Sequence, residues 1–381
     1  MRSISDTIGR LERMRNLSTG HTRSGGGRLS VLTDFGSNPG SLAAHTYAPA
    51  DLQSGSPLVV VLHGCTQNAT DYDIGSGWSK LADDAGFGIL FPEQPPINNQ
   101  NRCFNWFARD DIRRDRGEVH SIKQMIDSFA SQHSIDPDRI FITGLSAGGA
   151  MALAMLAAYP EVFAAGAVVG GLPYGTASSV PEAFDRMRGH GLPGSAALTQ
   201  HVRSASSHEG PWPALSIWHG TQDKTVDPAN VAAMVNQWKG LHQLDATPTH
   251  LEKDGRLVRE VWRDRMDRVV IETNLVNGMG HGTPLSTEGP QGYGRPGPFM
   301  LETGLSSTLH IARFFGLVDS MDVARKAPHT DAATAPSPRA KTSAAPPVST
   351  QPSITSRSAG HPPSKIGQII EKALRSAGLM N

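Results

Sequence analysis

The sequence has little of what marks several large classes of protein. Among its 381 residues only Cys65 and Cys103 are cysteines, too few for a scaffold built on disulfides and without the spacing of a metal site. Its 35 basic and 35 acidic side chains give a formal net charge of zero, so no excess of positive charge suggests nucleic acid as a partner. No apolar run approaches the roughly 18 residues that a membrane-spanning helix requires. The first residues also lack the apolar core of a conventional secretory signal, so we expect a cytoplasmic location.

The composition favours one sizeable domain with loop-rich ends. Hydrophobic residues make up 38% of the chain, alongside 40 glycines and 27 prolines. We expect an amphipathic or flexible segment over residues 1–27, the folded domain over 28–320, a disordered linker over 326–363 and an amphipathic helix over 364–381. The linker is rich in Ala, Pro, Ser and Thr and has almost no large apolar residue, so it cannot bury enough surface to fold.

Inside the domain, apolar runs alternate with helical patterns. The run Pro57–His63 is continuous, which is typical of a strand buried on both faces. Such alternation predicts an α/β fold with a mostly parallel central sheet and helices on both faces. Residues 172–212, rich in Gly, Pro and Ser, indicate an insertion above the sheet. The predicted strands are 29–33, 43–47, 57–63, 87–91, 139–142, 164–169, 214–218 and 269–276, and the predicted helices are 78–85, 118–132, 150–158, 228–238 and 303–315.

The stretch Thr143–Gly149 joins a predicted strand to a predicted helix through a sharp turn with Ser146 at its apex. A serine there must adopt a strained backbone conformation, which requires residues without a side chain two positions before and after it. Gly144 and Gly148 meet this requirement. The turn would lift the Ser146 hydroxyl clear of the sheet and place the backbone N–H of Ala147 beside it, facing developing negative charge. The pattern predicts a nucleophile; an ordinary strand-to-helix turn is the alternative.

A serine hydroxyl needs a base to take its proton and a third group to orient that base. On a sheet of this kind the partners follow the serine in the order acid, then histidine. Asp223 lies on the loop after the strand that ends at Trp218, and it is the predicted acid. The alternative is Asp227, although its position directly before Pro228 is more typical of a helix cap.

The predicted base is His281. It follows the last predicted strand and lies among small residues in the stretch Gly278–Gly282. Two other histidines are candidates: His219 would lie at a strand end and point into the structure, and His310 lies in a predicted helix of structural character. Only for His281 do the chain order, the strand end and the flanking glycines agree.

Attack on a carbonyl also requires N–H donors that face the oxyanion, and the second donor in such folds comes from the loop after an early strand. The stretch His63–Thr66 occupies that place. We therefore assign the backbone N–H groups of Cys65 and Ala147 to the oxyanion hole, with Gly64 allowing close approach. The alternative is that this stretch merely turns the chain.

Together these motifs resemble the polyhydroxybutyrate depolymerase family of esterases and, more loosely, feruloyl and acetylxylan esterases. The similarity covers roughly residues 30–317, and the combination is far more specific than any one motif. This resemblance implies an α/β-hydrolase fold with Ser146, Asp223 and His281 as the catalytic triad. The matching motifs are Leu62–Gln67, Asn101–Phe107, Gly144–Gly149, Trp218–Asp223 and Gly278–Gly282.

The resemblance implies further features of the site. A disulfide between Cys65 and Cys103 would tether the oxyanion loop to the loop of Trp106, whose side chain would form an aromatic wall of the cleft. We place His63 with Trp106 among the substrate-binding residues. Secreted members of the family carry a signal peptide and usually a substrate-binding domain, and we recognise neither in this sequence. Paired cysteines nevertheless suit an oxidising compartment, so an extracellular location is the alternative to the cytoplasmic one.

The leading functional hypothesis is a serine carboxylesterase that acts through an acyl-enzyme on hydroxyalkanoate oligomers or polymers, or on other short acyl esters. This chemistry requires no metal or other cofactor. A feruloyl or acetylxylan esterase is the alternative within enzymes. A third hypothesis, from another class, is an inactive hydrolase domain that binds a granule or membrane surface through its terminal helices. The presence of all three predicted triad residues argues against inactivity.

The terminal segment generates a prediction. The apolar residues of 364–381 fall on one face of a helix, with basic residues around it. If this helix docks on a polyester granule, a membrane or a partner, removal of residues 326–381 should leave hydrolysis of soluble esters unchanged and reduce binding to granules or vesicles. Equal binding by the truncated and full-length chains in a sedimentation assay would rule docking out. A lower melting temperature after truncation would show instead that the helix packs on its own domain.

Overall fold

A computed structural model describes residues 27–289 and 291–318. The linker predicted over 326–363 and the helix predicted over 364–381 lie outside the described residues, as does all but the last residue of the segment 1–27. In the described ranges, no helix combines the length and the apolarity needed to cross a bilayer.

Ten of the described strands form one sheet with a parallel centre. The strands in chain order, including a separate pair formed by the last two, are β1 Ser30–Val31, β2 Ala43–Tyr47, β3 Leu58–Leu62, β4 Gly88–Glu93, β5 Ile140–Leu145, β6 Ala165–Val169, β7 Ala214–Gly220, β8 His250–Asp254, β9 Leu257–Arg263, β10 Val269–Val276, β11 Thr283–Leu285 and β12 Met300–Glu302. The spatial order is β1-β2-β4-β3-β5-β6-β7-β10-β9-β8. The strands from β4 to β10 in this order are parallel, while β1, β2, β9 and β8 pair antiparallel at the two sides. The predicted parallel centre and initial antiparallel pair are confirmed.

Helices cover both faces of this sheet. They are α1 Ala69–Ser76, α2 Trp78–Ala85, α3 Gly117–His133, α4 Ala147–Ala158, α5 Val180–Met187, α6 Ser195–Arg203, α7 Ala229–His242 and α8 Ser307–Phe314. Residues of α3, α4 and α7 share one hydrophobic core with Leu58, Val60 and Leu62 of β3. Residues of α1, α2 and α8 share the opposite core with Val59 and Val61. Because alternate side chains of a strand point to opposite faces, this division explains the continuous apolar run of β3.

Several elements were not predicted from the sequence, among them the short strands β11 and β12. Helix α1 was not predicted because few of its residues are apolar; the side chain of Asn68 caps it by accepting the N–H of Asp71 at 2.8 Å. The insertion predicted over 172–212 contains two helices, α5 and α6, that were not predicted, because their short helical patterns lie among glycines and prolines. Strands β8 and β9 were not predicted, because they carry many charged residues and no long apolar run. Strand β8 is exposed along its whole length.

The parallel strands bring the predicted site residues to one side of the sheet. His63 follows β3, Ser146 follows β5, Asp223 lies three residues after β7, and His281 lies five residues after β10. In open α/β sheets, ligands bind at the carboxyl ends of the parallel strands. The topology therefore places the candidate site at this end.

Candidate active site

Ser146 occupies the turn between β5 and α4 in a strained backbone conformation, with φ 57° and ψ −120°. Its N–H donates to the carbonyl oxygen of Val169 at 2.8 Å, which ties the turn to the end of β6. A Cβ on Gly144 would lie 2.4 Å from the carbonyl oxygen of Gly148, and a Cβ on Gly148 would lie 2.4 Å from that of His63. Only glycine fits at these two positions, in agreement with the sequence argument for a strained turn.

Asp223 and His281 form a hydrogen-bonded pair. His281 Nδ1 lies 2.7 Å from Asp223 Oδ2, and the N–H groups of Thr225 and Val226 donate to Oδ1 at 2.8 and 2.9 Å. Burial alone would raise the pKa of Asp223, but the hydrogen bond and charge interaction with His281 outweigh it and hold that pKa below its ordinary value. An ionised Asp223 favours the Nδ1–H tautomer of His281, which leaves Nε2 as a proton acceptor.

Hydrogen bonds between their loops hold this pair in place. The N–H of Gln222 donates to the carbonyl oxygen of Met279 at 2.9 Å, joining the Asp223 loop to the His281 loop. His281 and Ser146 line the same cleft, and no hydrogen bond joins their side chains in the described structure. Such hydrogen bonds are often long without substrate and shorten when it binds.

The alternative base His219 has a structural environment. It is fully buried, and its Nε2 lies 2.8 Å from the carbonyl oxygen of Val226 and 3.4 Å from Asp223 Oδ2. Burial lowers the pKa of His219, so the neutral ring donates from Nε2. His219 therefore supports the Asp223 carboxylate and does not line the cleft.

The other two alternatives are also occupied in structural contacts. Asp227 accepts the N–H of Ala229 at 2.8 Å, at the start of α7, as a capping residue does. His310 packs edge-on against Trp218 with 5.5 Å between ring centroids, and burial lowers its pKa. Neither residue lines the cleft that contains Ser146.

The cleft has a volume of about 380 Å³ and a mostly apolar lining. Residues 98–101 form a polar rim, and both disulfide-bonded cysteines line the same space. Trp106 packs edge-on against Phe107 with 5.7 Å between ring centroids. This arrangement suits a substrate with an apolar body and a few hydrogen-bonding groups. The apolar side chains of the cleft are Trp106, Phe107, Leu145, Val180, Ala183, Phe184, Met187 and Phe299.

The chain matches a known family over most of its folded domain. The family model for esterase PHB depolymerase matches residues 42–262. Poly(3-hydroxyalkanoate) depolymerase C of Paucimonas lemoignei is 41% identical over 292 residues, which cover 76% of this chain and 70% of that protein. The chain belongs to this family of esterases. It is a carboxylic ester hydrolase, as the sequence predicts.

Acetylxylan esterases are further relatives of this esterase. The enzyme of Coprinopsis cinerea is 32% identical over 267 residues, which cover 68% of this chain and 70% of that protein. Among solved structures, an acetyl xylan esterase from Aspergillus awamori matches with a TM-score of 0.66 and 24% identity, over 76% of this chain and 99% of that one. This likeness confirms the predicted α/β-hydrolase fold.

Two backbone N–H groups of the esterase suit an oxyanion. Cys65 lines the cleft, and Ala147 follows Ser146 as the first residue of α4. Within the described residues, neither N–H donates a hydrogen bond to the protein. The first N–H groups of a helix have no partner within it, and the helix dipole favours negative charge there. Both groups can therefore donate to a negatively charged oxygen beside Ser146.

The predicted disulfide between Cys65 and Cys103 is confirmed, with 4.3 Å between the Cα atoms. It closes a loop with a sequence separation of 38, which would stabilise the fold by about 4 kcal/mol in the chain-entropy model. The bond ties the loop that follows β3 to the loop of Trp106. Two walls of the cleft are thus joined covalently.

The assignment of His63 to substrate binding needs correction. The side chain is buried and does not line the cleft. Its Nδ1 lies 2.8 Å from the carbonyl oxygen of Gly64, and its Nε2 accepts the N–H of Gln94 at 3.1 Å. Burial lowers the pKa of His63 to about 4, so the ring is neutral at pH 7. His63 fixes the backbone before Cys65 and cannot reach a substrate in the cleft.

Gln94 and Glu118 form a second link between the walls, which sequence reasoning missed. Beyond its contact with His63, Gln94 donates from Nε2 to the carbonyl oxygen of Cys103 at 3.1 Å and to Glu118 Oε1 at 2.5 Å. Glu118 Oε2 accepts the N–H of Asn105 at 2.9 Å. Both side chains are fully buried. No motif could identify them, because their partners are up to 31 residues away along the chain.

The buried Glu118 generates a prediction about pH. Burial, with a smaller contribution from Asp111, raises the pKa of Glu118 from 4.5 to about 8 despite the opposing hydrogen bonds. The folded state therefore keeps a proton that the unfolded chain releases above about pH 4.5, and the free energy of unfolding should fall as the pH rises from there to about 8. This decline in the free energy of unfolding is on the order of a few kcal/mol. Glu118→Gln has no such ionisation, so its melting temperature should not fall with pH in this way.

The control for this experiment is Glu209→Gln, at an exposed glutamate without a side-chain partner among the described residues. It should keep the pH dependence of the original protein. Thermal melts from pH 5 to pH 9 would measure all three proteins. Parallel curves for Glu118→Gln and the original protein would contradict the assignment of a neutral Glu118.

Proposed function

We propose that this protein is a serine esterase that hydrolyses short-chain hydroxyalkanoate esters and oligomers, with Ser146 as nucleophile, His281 as base and Asp223 as the orienting acid. The observation that carries the proposal is the Asp223–His281 hydrogen bond of 2.7 Å in a cleft shared with a strained Ser146. Nucleophilic serine catalysis requires these three side chains at one place.

In the proposed reaction, Ser146 Oγ attacks the ester carbonyl carbon while His281 Nε2 takes the hydroxyl proton. The carbonyl oxygen becomes an oxyanion, which the N–H groups of Cys65 and Ala147 stabilise. The tetrahedral intermediate then expels the alcohol, which receives the proton from His281, and an acyl-enzyme remains. A water molecule then attacks the acyl carbon while His281 takes its proton. The second tetrahedral intermediate collapses, the carboxylic acid is released, and Ser146 Oγ receives the proton from His281.

The cleft supports a hydroxyalkanoate as the substrate. Aromatic and aliphatic side chains such as Trp106, Phe184 and Met187 form most of its lining, which suits the aliphatic body of a polyester segment. The polar rim at 98–101 supplies amide groups that can donate to the ester carbonyls of neighbouring units. The relative of Paucimonas lemoignei, whose name gives this substrate class, supports the same choice.

An acetylxylan or feruloyl esterase is the second candidate. The 32% identity to the Coprinopsis cinerea enzyme favours it, because that relative also aligns over most of the domain. An acetyl group is small enough for the same cleft, and the polar rim could then face a sugar chain.

Two related proposals concern where the esterase acts. The disulfide between Cys65 and Cys103 is typical of an oxidising compartment, which supports an extracellular location over a cytoplasmic one. Docking on a polyester granule or membrane rests on the sequence pattern of 364–381 alone, and the truncation described above tests it.

The proposed catalytic residues lead to a direct prediction. Ser146→Ala and His281→Ala should each lower kcat by a factor on the order of 10³ or more, because each removes an obligatory step of the reaction. Ser195→Ala and His250→Ala, at exposed positions on α6 and β8, are the matched controls and should keep full activity. Phosphonate labelling should modify Ser146 alone. Enzymatic hydrolysis of a nitrophenyl ester by Ser146→Ala would refute the assignment of the nucleophile.

A substrate panel separates the two candidate functions. It comprises nitrophenyl esters of increasing acyl length, hydroxybutyrate oligomers, methyl ferulate and acetylated xylan. The proposal expects the highest kcat/KM on hydroxybutyrate oligomers, and Phe184→Ala should lower this value more than the value for nitrophenyl acetate, because the longer substrate contacts more of the apolar wall. A preference for acetylated xylan or methyl ferulate would favour the second candidate.

A further inference from the structure

A second cavity of about 860 Å³ lies behind one wall of the cleft, and its lining is polar and basic where that of the cleft is mostly apolar. Four arginines line it: Arg109, Arg113, Arg114 and Arg186. Glu182 is the only acidic residue among the described residues of the lining, so the four arginines and this glutamate sum to three positive charges. The whole chain has a formal net charge of zero, which makes this concentration a local feature.

The positive charge of this basic cavity is only partly neutralised. Arg114 pairs with Glu161 at 2.6 Å. Within the described part of the chain, Arg186 donates only to the backbone carbonyl oxygens of Thr176 and His190. The guanidinium groups of Arg109 and Arg113 have no hydrogen-bond or ion-pair partner among the described residues, and both side chains are exposed. These two groups are available to an anion.

Glu182 forms no hydrogen bond or ion pair with these arginines among the described residues. Its carboxylate accepts hydrogen bonds from the N–H and hydroxyl of Ser178 at 2.8 and 2.9 Å. These bonds, with smaller contributions from Arg186 and Arg109, lower the pKa of Glu182. The neighbouring His201 adds a buried Nδ1 without a partner in the described structure. The cavity therefore holds guanidinium groups that no carboxylate of its described lining bonds.

Helix α5 separates the basic cavity from the cleft. Val180, Ala183 and Met187 on one side of this helix line the cleft, whereas Glu182 and Arg186 line the basic cavity. The segment Trp106–Arg114 likewise runs from the cleft to the cavity. A carboxylic acid released in the cleft would be formed one helix away from a group of arginines.

We infer that the basic cavity binds a carboxylate, namely the hydroxy acid or acid-terminated oligomer that ester hydrolysis releases. A guanidinium group binds a carboxylate through two parallel N–H···O bonds. The hydroxyl oxygens of Thr176 and Ser204, which donate to the backbone carbonyls of Pro173 and His201, can still accept a hydrogen bond from the hydroxyl of the acid. The volume of the cavity accommodates several monomer units. That the acid is a hydroxyalkanoate rests on the proposed function. That the cavity binds a carboxylate rests only on its arginines.

The test measures binding in the absence of turnover. 3-Hydroxybutyrate and its linear dimer acid are titrated calorimetrically into Ser146→Ala and into Ser146→Ala that also carries Arg109→Gln and Arg113→Gln. The dissociation constant should be in the millimolar range or below and should rise by about tenfold or more in the arginine variant, since both free guanidinium groups are lost. Arg139→Gln with Arg265→Gln, at exposed arginines outside the cavity, is the charge-matched control and should bind like Ser146→Ala.

Chemical modification gives a readout that needs no variant. Phenylglyoxal reacts with free guanidinium groups, and the bound acid should protect Arg109 and Arg113 while Arg139 remains reactive in the same sample. The neutral methyl ester of 3-hydroxybutyrate should give no protection.

Three results would overturn the inference. One is absence of binding by either acid, and another is equal affinity in Ser146→Ala and in the arginine variant, which would place the acid in the cleft instead. The third is inorganic phosphate binding as tightly as the acids, which would show a general anion site. Failure of the proposed nucleophile would appear separately, as turnover by Ser146→Ala, and would leave these binding results intact.

Discussion

The close approach of three strand ends around Ser146 is the constraint on which the rest of the site depends. A left-handed backbone at a serine costs on the order of 1–3 kcal/mol and persists only where the surroundings allow no other path. Here the carbonyl oxygens of His63 and Gly148 leave no room for side chains at the two flanking glycines, and Val169 holds the serine N–H. Helix α4, buried at all twelve residues, fixes the other end of the turn. The strained serine is thus maintained by the core itself.

Burial also decides which histidine can exchange protons in the cleft. His63, His219 and His310 are all shifted to lower pKa by loss of solvent, and each has its ring engaged in contacts within the fold. His281 differs because it lines the cleft and has a carboxylate on Nδ1. The carboxylate in turn receives two backbone N–H groups as well as its histidine. One buried anion, supported in this way, orients the only ring that borders both solvent and serine among these four histidines.

Local chemistry made part of this architecture predictable. The run at 57–63, the strand Val269–Val276 and the glycines around Ser146 follow from periodicity and from steric limits that act within a few residues. The same order argument located Asp223 and His281, which the structure brings within hydrogen-bonding distance. The family resemblance supplied the disulfide, which no spacing rule could have given.

The remaining features depend on contacts between distant parts of the chain. The orientation of the His63 ring depends on its hydrogen bond with the N–H of Gln94. Which residues of α5 line the cleft depends on how a Gly- and Pro-rich segment folds over the sheet. The pattern of Glu118 in α3 is that of an ordinary first-turn glutamate, which is usually exposed and charged. Its carboxyl group is buried against the side chain of Gln94 and the backbone of Asn105, and no local pattern encodes these contacts.

The two borders of the ten-stranded sheet have a consequence for crowded conditions. Open borders expose N–H and C=O groups to which a neighbouring molecule can add its own strand. Among the described residues, one border is β1, only two residues long, and the other is β8, which is fully exposed and carries Glu252, Lys253 and Asp254. A short strand gives too few hydrogen bonds for addition, and a row of charges must lose its hydration before another chain can pair with it. Molecules at high local concentration would therefore resist aggregation through the borders of their sheets.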